Sequence, residues 1–139
     1  MLAQYADPII FILLLVVSLF GTTVRDFFRF WIISAVAIGV ATGLAELGKA
    51  LVIWPGHPTF PSGHEAFGAA TAMCIVARKG YWLPIVMILL LALAWGLVTV
   101  NFHSIVDVAA GLVLGIFIAL IVQRLLSRFD PMPADLERP

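Results

Sequence analysis

The chain has 139 residues, of which 63% are hydrophobic and 12% are charged. A typical soluble domain is about 45–50% apolar and about 25% charged, so the composition argues against a water-soluble fold. Eight basic residues balance eight acidic ones, which leaves neither a basic surface for nucleic acid nor an acidic tail. The composition therefore predicts an integral membrane protein whose partners lie in the bilayer.

Five apolar stretches approach the length of a membrane-crossing helix, which is about 20 residues for a hydrocarbon core of roughly 30 Å. In chain order they are residues 8–24, 28–49, 63–77, 81–100 and 104–126. We therefore predict an all-α, polytopic transmembrane helix bundle of about five spans. In this interpretation residues 1–127 form one transmembrane domain, and residues 128–139 form a polar tail.

The basic residues predict the orientation of the bundle. If successive helices alternate in direction, every lysine and arginine except Lys49 falls on one side, and basic residues accumulate on the cytoplasmic side of membrane proteins. The tail then faces the cytoplasm. The amino terminus, the 49–64 loop and the 101–104 turn face the outside or periplasm of an inner (plasma) membrane.

Two pairs of glycines are spaced four residues apart within apolar stretches, Gly39 with Gly43 and Gly111 with Gly115. Such small-residue spacing allows helix backbones to approach closely. We expect these pairs to pack helices within the monomer rather than to form a dimer. The lone cysteine, Cys74, excludes an intrachain disulfide and is interpreted as a packing residue.

Polar residues in or beside membrane helices are costly, and their default interpretation is functional. Here they fall on the predicted outward side, at the ends of three apolar stretches and in one loop, which places them together before any family is considered. They are Lys49, His57, Ser62, His64, Glu65, His103 and Asp107.

The string Pro61-Ser62-Gly63-His64 predicts the start of a helix, because serine is a favoured N-cap and glycine leaves the first free N–H groups accessible. Such a helix end attracts anions and suits a phosphate oxygen, to which the Ser62 hydroxyl adds a further donor. Ser62 and Glu65 also have the spacing of a capping box, which is our preferred interpretation of Glu65.

His103 and Asp107 are four residues apart and share one face if both are helical. The carboxylate is then able to accept the Nδ1–H of the imidazole and leave Nε2 free to attack, which is the orienting arrangement of nucleophilic triads. A hydrogen-bonded pair at a helix start, without catalysis, is the alternative.

Together these residues resemble the type 2 phosphatidic acid phosphatase family, a membrane branch of the phosphatases related to vanadium haloperoxidases. Pro61-Ser62-Gly63-His64 reproduces the second motif of that family, and the segment from His103 to Gly111 looks like the latter half of its third motif. The resemblance covers roughly residues 40 to 120.

The resemblance implies a metal-independent lipid phosphatase without a cofactor. His103 would attack phosphorus and form a phosphohistidine, Asp107 would orient it, and His64 would protonate the leaving oxygen and then activate water. Lys49, Ser62 and Gly63 would hold the phosphoryl oxygens. The implied substrate is a phospholipid or polyprenyl phosphate at the outer face of the membrane.

The family motifs are incomplete in this chain. The first motif places Arg-Pro after lysine and six residues, where this sequence has Gly56-His57, and the third motif begins Ser-Arg, where it has Gly96-Leu97. Both arginines are absent, although His57 is a candidate replacement that contacts phosphate. Since arginine clamps phosphate in a way that histidine cannot copy, the loss leaves three expectations open, which are reduced activity, an altered substrate or no activity.

Three functions therefore stay open at this point. The first is hydrolysis of a lipid phosphomonoester or terminal diphosphate, or phosphoryl transfer by the same intermediate. The second is binding of a phosphorylated lipid without hydrolysis. The third is a metal-dependent or transport site, for which the potential ligands are His57, His64, Glu65, His103 and Asp107. The sequence predicts neither the lipid nor the oligomeric state.

Overall fold

A computed structural model describes residues 2–20 and 23–128, with side chains from residue 7 onward. This part of the chain is all-α and contains no strand, which confirms the predicted fold class. Its five helices are α1 (Leu2–Ser18), α2 (Val24–Ala50), α3 (Gly63–Arg78), α4 (Leu83–Thr99) and α5 (Ile105–Ser127), and a 3₁₀ turn at Gly80–Trp82 leads into α4.

The boundary between the first two helices was predicted wrongly. The apolar stretch 8–24 suggests one helix, but α1 ends at Ser18 and α2 begins at Val24. Thr23 explains the early start, because its hydroxyl accepts a hydrogen bond of 3.1 Å from the Asp26 backbone N–H and so caps α2. Hydropathy alone does not detect a polar cap that interrupts two apolar runs.

The other predicted helices agree with the structure to within a residue or two at most ends. Ser62 is the N-cap of α3, and Ser104 is the N-cap of α5. Of the predicted tail, only Arg128 lies within the described residues.

Three helices are long and apolar enough to cross a membrane: α2, α4 with its 3₁₀ turn, and α5. The apolar segment of α1 from Asp7 to Ser18 is shorter, and α3 has only 16 residues, or about 24 Å at 1.5 Å per residue. The predicted five helices are therefore present, but they are not five equivalent membrane spans.

Helix α3 lies at the centre of the bundle and packs against all four other helices. Its small side chains allow this position, because most of its alanines and glycines are buried. Gly111 and Gly115 of α5 approach it most closely. A Cβ added at Gly111 would meet the Ser62 carbonyl, and one at Gly115 would meet the Ala66 carbonyl. The prediction of intramolecular packing is thus confirmed for this pair.

The other glycine pair has no such role in the described structure. A Cβ added at Gly39 or Gly43 would have no neighbour within 4 Å, so neither glycine supports a close helix contact. Cys74, by contrast, is buried within the apolar core as expected.

Helices α3 and α5 run in the same direction, which decides where the polar residues meet. At one end the Ser62 backbone N–H donates to the Asp107 carbonyl at 2.9 Å. At the other, Gln123 Nε2 donates to the Met73 carbonyl at 3.3 Å. Two helix N-termini, with their positive dipole ends, therefore lie side by side at the end of the bundle where α2 finishes.

Candidate active site

The N-terminus of α3 forms the floor of the site. Ser62 is fully buried, and its hydroxyl accepts the Glu65 backbone N–H at 3.3 Å. The Glu65 carboxylate does not complete the predicted capping box, because the Ser62 N–H is bonded to the Asp107 carbonyl. Glu65 is instead 1% exposed, and its Oε2 has no hydrogen-bond partner among the described residues.

Lys49 reaches this helix end from the last turn of α2. A Cβ on Gly63 would lie 3.2 Å from Lys49 Nζ and would collide with Glu46 Oε1. Glycine at position 63 therefore gives the lysine access to the free N–H groups of α3. Lys49 Nζ is itself paired with Glu46 Oε1 at 2.6 Å, so its charge is partly balanced before any anion arrives.

Glu46 was not identified from the sequence as a site residue. Its position three residues before Lys49 was an available signal, because residues with that spacing share a helix face. The Glu46 side chain is more exposed than that of Lys49, at 59% against 23%, so water screens the pair and a phosphate is able to compete for the lysine.

His103 and Asp107 lie together as the spacing predicts, but the expected hydrogen bond is absent. His103 Nδ1 is 3.9 Å from Asp107 Oδ2, which is beyond hydrogen-bond reach. The His103 side chain is buried, and its Nδ1 has no partner among the described residues. Burial, and after it the positive charge of Lys49, lowers the pKa of His103 below its ordinary value. Both effects favour the neutral form of the imidazole, which is the form that is able to act as a nucleophile.

Asp107 is fixed by the start of its own helix and by the 51–62 loop. Its Oδ2 accepts the Ser104 backbone N–H at 2.9 Å, and Ser104 Oγ accepts the Asp107 N–H at 3.2 Å, which completes a capping box. Thr59 Oγ1 donates to the same Oδ2 at 2.8 Å. Thr59 had no sequence signal, because it lies 48 positions from Asp107 in an irregular loop.

His57 lies beside Oδ1, the second carboxylate oxygen of Asp107. Its Nδ1 lies 3.5 Å from Asp107 Oδ1, and its ring is 5.1 Å from the ring of Trp54, measured between centroids. The carboxylate therefore faces two histidines, His57 and His103. This placement makes His57 a neighbour of the orienting carboxylate, whereas the sequence suggested a direct phosphate ligand.

His64 and His103 face each other across the mouth of the site, with ring centroids 6.3 Å apart. In phosphoryl transfer the nucleophile lies within about 3–3.5 Å of phosphorus, and the acid lies within about 3 Å of the leaving oxygen. A phosphoryl group between the two imidazole rings would need a separation of this order. His64 is exposed while His103 is buried, so the first is open to solvent protons and the second is shielded. The two histidines are thus placed for different roles.

An open cavity of about 320 Å³ adjoins His64, between α1, α2 and α3. Asp7 of α1 lines it, and Asp7 Oδ1 is buried without a hydrogen-bond partner in the described part of the chain. Asp7 interacts electrostatically with both His64 and Glu65. No sequence pattern links Asp7 to this site, since only helix packing brings α1 beside α3.

The family motifs contain two arginines that this sequence lacks. Among the described residues, no other arginine lies at the site in their place. Leu97 occupies one motif position, and its buried side chain packs with Leu93 and Val108. The described arginines lie near the start of α2 or near the C-terminal ends of α3 and α5, which is the end of the bundle away from the site. They are Arg25, Arg29, Arg78, Arg124 and Arg128. Lys49 is thus the permanent cation of the described site.

The site therefore combines a shielded imidazole beside a carboxylate, a second imidazole opposite it, and a lysine at a helix N-terminus. Among the described residues, no group of three or more His, Cys, Asp or Glu side chains is arranged to hold a metal ion. Groups of these types are chemically able to act as a nucleophile, an acid–base residue and oxyanion donors, which is what the chemistry of a phosphatase needs.

Comparison with known proteins agrees with this class of protein. The PAP2 superfamily profile matches residues 9–130, so the chain belongs to the PAP2 superfamily. The match covers almost the whole described structure and extends beyond the segment that the motifs alone suggested. Neither the curated proteins nor the solved structures contain a significant match.

Proposed function

We propose that this protein is a lipid phosphatase, which hydrolyses a phosphomonoester or terminal diphosphate of a prenyl or glycerolipid through a phosphohistidine. The observation that carries the proposal is the pairing of His103 with Asp107 opposite His64, at the N-terminus of α3, in a chain of the PAP2 superfamily.

In the proposed reaction, His103 Nε2 attacks phosphorus and the bond from phosphorus to the leaving oxygen breaks. His64 gives its proton to that oxygen and then accepts one from the water that hydrolyses the phosphohistidine. Asp107 stabilises the imidazolium that forms on His103. Lys49, the Ser62 hydroxyl and the backbone N–H groups after Ser62 hold the phosphoryl oxygens.

An apolar groove beside the site supports a lipid as the substrate. It has a volume of about 500 Å³ and runs from Trp54 and Phe60 of the loop along the α5 surface to Phe117. Phe60 lies two residues before Ser62, and Val106 of the groove directly precedes Asp107. A hydrocarbon chain lying in this groove would bring its attached phosphate to the histidines.

The membrane position that we propose follows from the charge distribution. All described arginines lie towards the opposite end of the bundle from Lys49, and basic residues favour the cytoplasmic side. The site then opens at the outer face of the plasma membrane, at headgroup level.

The proposal is tested by phosphate release from purified protein in detergent, with phosphatidic acid, phosphatidylglycerol phosphate and polyprenyl diphosphate as substrates. Release that persists in EDTA and disappears in His103→Ala supports a metal-independent phosphatase. Loss of release in EDTA would instead favour the metal-dependent alternative. An added alcohol that captures the phosphoryl group would identify a phosphotransferase.

A second candidate is a relative that binds a lipid phosphate without hydrolysing it. The observation that favours it is the replacement of a motif arginine by the buried Leu97, together with the pairing of Lys49 and Glu46. Lipid binding by the unaltered protein without phosphate release, and with no change in His103→Ala, would establish this alternative.

A further inference from the structure

A further cavity, lined by both polar and apolar side chains, lies between α2, α3 and α5 at the end of the bundle remote from the histidines. Its volume is about 170 Å³. Arg29 lies 20 residues before Lys49 on α2, which at 1.5 Å per residue separates this cavity from the site by about 30 Å. The residues that line it are Asp26, Arg29, Phe30, Ile33, Ser34, Cys74, Ala77, Arg78 and Gln123.

The lining carries more positive than negative charge. Two guanidinium groups, those of Arg29 and Arg78, share the cavity with one carboxylate, that of Asp26. Arg78 is held in place by an aromatic ring, since its guanidinium carbon lies 5.1 Å from the centre of the Phe30 ring. A cation–π contact of this kind does not itself use the N–H donors of the guanidinium, which are the groups that recognise phosphate.

A buried hydroxyl in the same cavity lacks a partner. Ser34 is 1% exposed, and its Oγ makes no hydrogen bond within the described structure, although the weakly polar thiol of Cys74 lies beside it. Burying a hydroxyl without a hydrogen-bond partner carries a free-energy cost. A ligand oxygen that accepts from Ser34 would remove this cost.

We infer that this cavity binds a phosphate-bearing anion, either the headgroup of an anionic phospholipid or free phosphate. Guanidinium groups recognise phosphate oxygens through paired N–H donors, and the Ser34 hydroxyl adds another donor. The volume equals that of about six waters at roughly 30 Å³ each, which is enough for one phosphate group. The side chains of Phe30, Ile33 and Ala77 supply an apolar wall suited to the adjoining part of a lipid.

The cavity is a binding site rather than a second catalytic centre. Its lining contains no histidine, and its one thiol, Cys74, is 2% exposed. A bound anion would link Arg29 on α2 to Arg78 on α3 at the end of the bundle where the helices are not joined by the active-site contacts. Anionic lipid should therefore stabilise the folded protein.

The test measures thermal unfolding and lipid binding of the full chain in a neutral detergent. Phosphatidylglycerol is the lipid probe, because it is a phosphodiester and not the proposed substrate class. Phosphatidylcholine, which is zwitterionic and has no net charge, is the comparison lipid, and inorganic phosphate is the free anion. We expect phosphatidylglycerol to raise the unfolding temperature. Arg78→Gln should weaken its binding about tenfold or more, as loss of a charge-assisted hydrogen bond predicts.

Arg124→Gln is the matched control, because Arg124 is an exposed arginine near the same end that does not line the cavity. Equal weakening in both variants would overturn the inference in favour of a general surface-charge effect, and so would an absent lipid effect in the unaltered protein. Stabilisation by phosphate as well as phosphatidylglycerol would show that the anion suffices, whereas stabilisation by the lipid alone would identify a headgroup site.

Two further variants separate this site from folding and from the active site. If Arg78→Gln does not fold, Ser34→Ala removes only the buried hydroxyl and should still weaken phosphatidylglycerol binding. The double variant Lys49→Gln with His103→Ala should bind phosphatidylglycerol normally. Loss of binding in that double variant would place the lipid at the histidine site and refute a second site.

Discussion

At the residue scale, the site depends on the Asp107 carboxylate, which contacts its own helix cap, the 51–62 loop and His103. Asp107 Oδ2 accepts bonds from Ser104 N–H and Thr59 Oγ1 and lies 3.9 Å from His103. The carboxylate is therefore held in place mainly by its helix cap and the loop, and the hydrogen bond to His103 that the proposed mechanism needs requires the 3.9 Å separation to shorten. Catalytic hydrogen bonds are often long before substrate binds.

Replacement of Asp107 by asparagine should lower kcat by about 10²-fold or more, because an amide cannot stabilise the imidazolium on His103 as a carboxylate does. The fold should survive, since the amide oxygen is still able to accept the Ser104 N–H. Thr59→Val is the control, because it removes one hydrogen bond to Asp107 but keeps the charge. Initial rates and unfolding temperature in detergent give both readouts, and unchanged turnover in Asp107→Asn would exclude Asp107 from the mechanism.

The pH profile should report the lowered pKa of His103. Because burial and Lys49 disfavour the imidazolium, His103 stays neutral at pH values where an ordinary histidine, with a pKa of 6.5, is half protonated. The acid limb of kcat/KM should therefore lie below pH 6.5. The substitution Lys49→Gln removes a positive charge that lowers the pKa of His103. The acid limb of kcat/KM should therefore move to higher pH in this variant, even if the absolute rate falls. An unmoved limb would show that another group controls it.

At the scale of helices, the closest contact is that of α5 with α3. Gly115 lies against the Ala66 carbonyl, and an added Cβ would be 2.7 Å from Ala69 Cβ. This contact aligns the starts of α3 and α5 and so brings Ser62 beside Asp107. The distance between the two sequence motifs is therefore set by glycines that have no role in the proposed reaction.

Gly115→Ala should destabilise the protein by about 1–3 kcal/mol through overpacking, and it should also reduce turnover by separating the helix starts. Gly39→Ala is the matched control, because the same change at Gly39 meets no atom within 4 Å and improves helix propensity. Denaturation in detergent compares the two. Equal stability of both variants would contradict the close packing of α5 on α3.

At the scale of the whole molecule, the described arginines and the candidate site lie at opposite ends of the helix bundle. The histidines and Lys49 are at one end, whereas the described arginines lie towards the other. The distribution predicts that the turn containing Asn101 faces outward and that Arg128 faces the cytoplasm.

Cysteine labelling tests this orientation in a Cys74→Ala background, which removes the single native thiol. A membrane-impermeant maleimide should label Asn101→Cys in sealed right-side-out vesicles, while Arg128→Cys should react only after detergent is added. The reverse pattern would place the active site on the cytoplasmic side, and phosphate release by intact vesicles would then require a substrate that crosses the bilayer.

The sequence by itself determined the fold class, most helix boundaries and the residues that meet at one end. Long apolar runs favour helices because backbone groups in lipid must be bonded within the segment, and the motifs mark the starts of α3 and α5. Tertiary structure alone decided that Thr59 donates a hydrogen bond to Asp107, that His57 lies beside the same carboxylate, and that Asp7 lies near His64. These contacts join distant segments, and their geometry follows from helix packing, which local sequence patterns do not encode.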